Sequence, residues 1–336
     1  MNLITGATGL LGAHLAIYLL EQGEKVRVIY RSGKGIEKTR SLFELYNKTG
    51  LFGQLEWFEA DITDVPSLEK AFANVEYVYH CAAFISFDPK DEAAMRKVNI
   101  EGTANVVNLS LAFGIKKLCH VSSIAALGDA KEGDNTITEE TEWNPEKPHS
   151  DYAISKYGGE MELWRAQQEG LNVVVVIPGV ILGPVPRQKD WQEGSGGIFE
   201  TIEKGIPFYT LGTSGFVAVP DVVALMFLLV KSELRNQRFI AVAGNYSFRD
   251  ITFSIADALG VKRPSINAKP WLTSLAASAD WLLSFFGRKR QLFAETVVAL
   301  QLQNNFSNEK TKALTGFNFR PIPEFIVEIA RIRKGT

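Results

Sequence analysis

The chain has 336 residues, 46% hydrophobic and 22% charged, with a formal net charge of −2. Such values suit one large α/β unit or a core with a smaller lobe, and they exclude the basic excess of a nucleic-acid partner. Cys81 and Cys119 each sit in an apolar run, so buried free thiols in a reducing, cytoplasmic setting are expected rather than a disulfide. No signal-type segment is expected, because a glycine motif starts almost at Met1, and no metal is expected.

A very short apolar run, Leu3-Ile4, precedes Thr5-Gly6-Ala7-Thr8-Gly9-Leu10-Leu11-Gly12, and Leu11, Leu15, Ala16, Leu19 and Leu20 then recur at helical spacing. Strand, glycine turn and helix are the context of a dinucleotide site. Gly6 would allow the tight turn, Gly9 would let backbone approach a pyrophosphate, and Gly12 would let the helix pack closely on the strand. Thr8, Leu10 and Leu11 then stand at the positive end of the helix, facing the anion. Residues 25–30 alternate as a second strand ending in Tyr30, Arg31, Ser32, Gly33 and Lys34. No acid is there to hold ribose hydroxyls, and the Arg31 guanidinium matches a 2′-phosphate. NADP is therefore expected, with NAD the alternative; a solvated basic loop is the competing reading.

Residues 55–60 form a third strand ending in Asp61-Ile62, an acid for the adenine amino group and an apolar residue to cover its ring. Asp64 is expected to cap the next helix. Residues 75–81 form a fourth strand that continues into Ala82-Ala83, small enough for backbone to lie against the cofactor. Phe84-Ile85-Ser86-Phe87 follows at a strand's carboxyl end, where α/β folds place ligands. Its two aromatics suggest an apolar substrate surface or, alternatively, core packing. Residues 93–112 read as one long helix with Val98, Val106, Val107, Leu109 and Leu111 in a broad apolar stripe.

Residues 117–121 form a fifth strand leading into Ser122-Ser123, and 132–150, with Pro145 and Pro148, read as polar loop. Asp151 is expected to cap a helix carrying Tyr152-Ala153-Ile154-Ser155-Lys156. Residues 173–177 are a continuous β-branched run, buried on both faces, that ends at Pro178-Gly179. This alternation predicts an α/β fold, a Rossmann-type doubly wound parallel sheet over 1–184. Composition shifts after Pro186: 185–216 read as a glycine-rich lobe, 222–230 as an apolar helix and 238–242 as a last strand, so that 217–244 returns to the core. Residues 245–336 complete a smaller, mostly helical substrate-binding lobe. Residues 271–286 are strongly apolar and precede Arg288-Lys289-Arg290, but are too short to span a bilayer. A lid or dimer helix is expected, with a membrane-surface helix as the alternative.

Tyr152 and Lys156 are four apart and share one helix face. An ammonium beside a phenol favours phenolate, lowering its pKa towards working pH. Tyr152 would then exchange a proton with a substrate oxygen while hydride moves at the neighbouring carbon. Ser123 can donate a hydrogen bond to that oxygen, and Lys156 can also hold the nicotinamide ribose. A Y-x-x-x-K pattern is frequent by chance; the preceding serine pair and the glycine turn give it weight.

With these residues the sequence resembles the extended short-chain dehydrogenase/reductase superfamily, including the NAD-dependent epimerase/dehydratase family, over nearly its whole length. The matching pieces are TGATGLLG at 5–12, ADITD at 60–64, HCAA at 80–83, SSIAALG at 122–128, YAISK at 152–156, IPGVILGP at 177–184 and VAVPDVV at 217–223. The resemblance implies Ser123, Tyr152 and Lys156 as the catalytic set and Ser122 as a supporting neighbour. It also implies Asn99 tied to backbone or water, cofactor contacts at Pro178 and Val180, and a homodimer through the helices around 99–112 and after Tyr152. Dihydroflavonol reductase-like and 3β-hydroxysteroid dehydrogenase-like members are most similar. SSIAALG lacks the Tyr-Gly common in sugar-nucleotide epimerases, and Ser214 stands where those tend to carry an arginine, although Arg187 or Lys189 could substitute. The expected activity interconverts a carbonyl and a secondary alcohol on an apolar or amphipathic small molecule with NADP. A nucleotide-sugar epimerase or dehydratase with tightly bound NAD(P) is the alternative, and an NADP-sensing protein without turnover is the third reading.

Overall fold

Every position of Val173–Pro178 is buried, as a continuous β-branched run requires where helices cover both faces of a sheet. The computed structural model describes residues 1–130, 135–186, 195–273 and 294–335. In chain order the strands are β1 (Asn2–Thr5), β2 (Val26–Tyr30), β3 (Glu56–Glu59), β4 (Tyr77–His80), β5 (Lys117–Val121), β6 (Val173–Pro178), β7 (Val180–Leu182), β8 (Thr213–Ala218), β9 (Gln237–Ala241) and β10 (Gly244–Ser247), with four two-residue strands named by their residues where needed. Seven of them form one sheet in the order β9-β6-β5-β4-β1-β2-β3, and every pairing is parallel. The order reverses between β1 and β4, the switch point where open α/β sheets take their ligands.

The principal helices are α1 (Leu10–Glu21), α2 (Gly33–Leu45), α3 (Val65–Ala71), α4 (Gly102–Ala112), α5 (Asp151–Gln168), α6 (Val219–Lys231), α7 (Phe248–Leu259) and α8 (Ile322–Gly335). Side chains of α1, α2 and α6 bury one face of the sheet, and those of α3, α4 and α5 bury the other. The smaller lobe has its own core. There β7, β8 and β10 form a second sheet, and α8 presents Ile322, Phe325, Ile326 and Ile329 at helical spacing against Ile251 and Ile255 of α7.

Several expectations change. The single helix over 93–112 is interrupted: Glu92–Arg96 is α-helical, Lys97–Glu101 is a π-helical turn, and α4 follows. Such turns often sit at functional positions, and this one carries Asn99. Val106, Val107 and Leu109 lie in the chain's own core, so that stripe needs no second copy to cover it. Ser150, not Asp151, caps α5: its hydroxyl accepts from Ala153 N at 3.1 Å, while Asp151 starts the helix, where a carboxylate favours the positive end. Asp64 does hold the cap position of α3, but its side chain makes no cap bond. Within the polar loop, Thr136–Ile137 pairs in parallel with Asn305–Phe306. The apolar stretch 271–286 is described only as far as Thr273, so its expected lid or dimer role lies outside the described residues, as do Arg187 and Lys189. Among the described residues no helix is long and apolar enough to cross a membrane.

A buried cation ties the start of β5 to the carboxyl end of α6. Lys117 on β5 sends Nζ to the carbonyls of Leu229 at 3.0 Å, Ser232 at 2.5 Å and Leu234 at 3.0 Å, past the carboxyl end of α6. It satisfies orphan carbonyls and sits at the negative end of the helix dipole. Lys117→Met keeps the stem and strips the donors, and should cost about 1–3 kcal/mol of folding stability, read by denaturant unfolding.

Candidate active site

At the switch point the carboxyl ends of β1 and β4 nearly touch. Gly6 has φ +73, and a Cβ there would lie 2.6 Å from Ala82 N. A Cβ on Gly12 would lie 2.3 Å from Gly6 O, so the helix can approach the strand only with glycine at that position. Gly9 differs: its φ is −94, and a Cβ would meet nothing closer than Gly6 O at 3.4 Å. The protein itself needs Gly6 and Gly12; the open space at Gly9 suits a group brought against the loop. The first intrahelical bond is Ala13 N to Gly9 O at 3.0 Å, which leaves the N–H groups of Leu10, Leu11 and Gly12 free of the helix ladder. With no acid in its first turn, α1 presents an anion cradle. The Thr39 hydroxyl of α2 lies 3.1 Å from both Ala7 O and Gly35 O and braces the loop, and Thr8 packs against Gly35.

Arg31, just past β2, is 73% exposed at its side chain, and its Nη1 lies 3.8 Å from Asp61 Oδ2. Asp61 Oδ1 is taken by Thr63, which donates N–H at 2.8 Å and its hydroxyl at 2.9 Å. Ile62 is buried and packs against Gly102. Sequence reading treated Arg31 and Asp61 separately; the structure makes them neighbours. On the other side of the cleft Ala82 and Ala83 follow β4, Pro178 ends β6, and half-buried Val180 pairs with Phe216 of β8. Ser214 lies on β8, level with Tyr246 of β10.

A buried polar line connects the glycine loop to α5. The Thr103 hydroxyl donates to Asn99 O at 2.7 Å, so at 3.0 Å it can only accept from His80 Nε2–H. That tautomer leaves Nδ1 to accept from the Thr5 hydroxyl at 2.6 Å, and Thr5 Oγ1 in turn accepts from Ala82 N at 3.1 Å. Burial pushes His80 down to about 3, so the ring stays neutral. Asn99 clamps Phe84 through both amide atoms, accepting from its N at 2.8 Å and donating to its O at 2.9 Å. It also donates to Ser155 Oγ at 2.9 Å, whose hydroxyl reaches Tyr152 O at 2.8 Å. Thr5, His80, Thr103 and Ser155 were not singled out from sequence; polar residues inside apolar strand and helix runs were the available signal.

Ser123, Tyr152 and Lys156 converge at the end of β5. Ser123 Oγ accepts from Ala125 N at 3.2 Å and sits beside the Tyr152 phenol. Lys156 is buried and donates to Val121 O at 2.8 Å. Burial raises the Tyr152 phenol and Ser123 pulls it back, whereas burial lowers Lys156 to about 8. The expectation of a phenol lowered by its lysine is not met here: burial raises the phenol, and the pull that opposes it comes from Ser123. Phe87 stands edge-on to Tyr152 with ring centroids 6.2 Å apart, and with its neighbour Ile85 it is exposed, at 41% and 60%. Ser122 is buried and donates to Glu160 Oε1. Glu160, also unnoticed in the sequence, stands four residues past Lys156 on the same helix, a spacing that could have flagged it.

A family model described as the NAD dependent epimerase/dehydratase family matches residues 2–242. A relative named sterol demethylase protein B, from Methylococcus capsulatus, is 29% identical over 273 residues, covering 81% of this chain and 78% of its own. Anthocyanidin reductase of Arabidopsis thaliana is 30% identical over 282 residues, covering 79% and 81%. The solved UDP-glucose 4-epimerase of Thermotoga maritima has the same fold at a TM-score of 0.76, with 21% identity over 100% of this chain and 99% of that one.

The glycines separate protein packing from ligand binding. Gly9→Ala should leave thermal unfolding unchanged while weakening nicotinamide-dinucleotide binding by about tenfold, or ~1.4 kcal/mol. Gly12→Ala should instead destabilise the fold by about 1–3 kcal/mol through overpacking. Melting curves and fluorescence titrations with the reduced dinucleotide on the same preparations check both.

Proposed function

Because this chain belongs to the NAD dependent epimerase/dehydratase family and is an NAD(P)-dependent enzyme of the extended short-chain dehydrogenase/reductase type, we propose that it interconverts a carbonyl and a secondary alcohol on an apolar or amphipathic small molecule, using NADP. The observation that carries this reading is the apolar surface of Ile85 and Phe87 set beside the Tyr152 phenol. A sugar ring there would want polar side chains for its hydroxyls. The names of the two relatives, a reductase and a sterol-modifying protein, support an apolar substrate.

When bound, the dinucleotide supplies the hydride. Its pyrophosphate would rest on the N–H groups of Leu10, Leu11 and Gly12, and its 2′-phosphate against Arg31, which displaces nothing more than a 3.8 Å pairing with Asp61. Lys156 would hold the nicotinamide ribose hydroxyls. As the carbonyl carbon accepts hydride, its oxygen gathers negative charge. The Ser123 hydroxyl stabilises that charge, and the Tyr152 O–H delivers the proton. A phenol raised by burial keeps its proton at neutral pH and so stands as the proton donor to that oxygen. Lys156 carries its charge below about 8 and loses it as pH rises through that value, so carbonyl reduction should decline above it.

A panel of apolar ketones assayed by NADPH oxidation, with NADH alongside, tests the reading. Cofactor that exchanges freely on purification is expected; cofactor released only by denaturation would point to the epimerase. Tyr152→Phe removes one hydroxyl, and turnover should fall by about 10²–10⁴ with NADPH affinity nearly unchanged. A variant that turns over normally sinks the mechanism. Arg31→Ala should weaken NADP binding at least about tenfold, from a lost charge-assisted contact of about 1.5–3 kcal/mol, and leave NAD binding alone. Equal loss for both cofactors would assign Arg31 a structural role.

A further inference from the structure

Glu160 lies on α5 one turn beyond Lys156 and is fully buried. A carboxylate in such a place is costly unless it is paired. Its partners come from three elements. From the end of β5 the Ser122 hydroxyl donates to Oε1, and from β9 the Arg238 Nη1 lies 3.7 Å from Oε2. Lys156 stands on α5 itself. Oε2 has no hydrogen-bond partner at close range, and the Arg238 and Lys156 charges support it. Arg238 is held from behind, since its Nη2 donates to Glu139 O and Glu139 Oε1 accepts from Ile240 N at 2.7 Å.

The groups around Lys156 narrow what can act on it. Cys81 follows β4, and burial pushes its thiol up to about 12, so it is uncharged at working pH. His80 on β4 is held neutral at about 3, and burial keeps His120 on β5 neutral as well. The Tyr152 phenol is also protonated. That leaves Glu160 as the one anion among the described residues that acts on Lys156. Glu160 has no exposed surface and cannot touch substrate.

We propose that Glu160 is a positioning residue which, braced by Ser122 and Arg238, fixes the strand end bearing Ser123 and keeps Lys156 charged. This rests on the reading that Lys156 holds the cofactor ribose. Each partner has a distinct part. Ser122 is the residue before Ser123, so its bond to α5 sets where the Ser123 hydroxyl emerges. Burial raises the Glu160 carboxyl, the Ser122 hydroxyl and then the Arg238 charge oppose that pull, and the carboxylate in turn supports the Lys156 ammonium.

The test is NADPH binding by fluorescence across pH on the full chain, with no substrate required. Wild-type affinity should fall as pH passes about 8, as Lys156 loses its proton. Glu160→Gln keeps the shape and an oxygen for Ser122 but removes the charge, and should move that fall about one pH unit lower. Arg238→Met should give the same shift, because an unpaired Glu160 takes up a proton; the double variant should shift no further, and Arg238→Lys should restore the wild-type curve. Should Glu160→Gln not fold, Arg238→Met carries the test, since that side chain is partly exposed. Unshifted curves in either variant, shifts that add in the double, or a wild-type affinity that ignores pH would overturn the proposal. Absence of NADPH binding by the wild type would remove the cofactor reading itself.

Discussion

The close approach of β1 and β4 at their carboxyl ends is the constraint on which the site depends. With Ala82 N only 2.6 Å from where a Gly6 Cβ would stand, any side chain at residue 6 would push the two strands apart. Their separation sets the cleft at the switch point, and Gly12 sets the depth at which α1 enters it. Helix α1 is buried along most of its length between the sheet and α6, so it cannot shift to relieve a wider turn. The anion cradle is therefore a product of core packing.

The same junction is stitched sideways by polar atoms. Thr5 receives Ala82 N and donates to His80; His80 reaches Thr103; Asn99 of the π-helical turn holds Phe84 and Ser155. Each bond in the line is satisfied, which is what a low-dielectric interior demands of a buried network. Its effect is to fix β1, β4 and α5 to one another, and so to fix Tyr152 against the loop carrying Phe87. The π-helical turn Lys97–Glu101 carries Asn99 into this line.

Burial acts on the two principal side chains in opposite directions. It holds the proton on Tyr152 and loosens it on Lys156, because each charged form loses solvent. The acid is thereby poised to give its proton to a new alkoxide, while the ammonium needs outside support. That support is electrostatic and comes from Glu160, itself braced by Ser122 and by Arg238 on the edge strand. The chemistry at the cleft is in this way coupled to the packing of β6 and β9 behind it.

The sequence by itself determined much of this molecule. Apolar runs placed β1, β2, β5, β6 and β9 to within a residue or two, and most plainly β6, where Val173–Pro178 is buried on both faces and apolar throughout. The glycine turn, the serine pair and the Tyr152/Lys156 spacing were legible because local geometry requires those residue types. Tertiary structure decided the rest. The π-helical turn carries long-range bonds from Asn99 to Phe84 and Ser155, which no local pattern records. The Tyr152 shift depends on how much solvent the assembled fold removes, and the Arg31–Asp61 pair on the neighbouring of β2 and β3. Ser122, Glu160 and Arg238 meet across contacts of 38 and more residues in the chain, so their joint effect exists only once β5, α5 and β9 are packed together. Spacing along a helix reports which side chains share a face; the charge each one carries is set by what the remainder of the chain brings against that face.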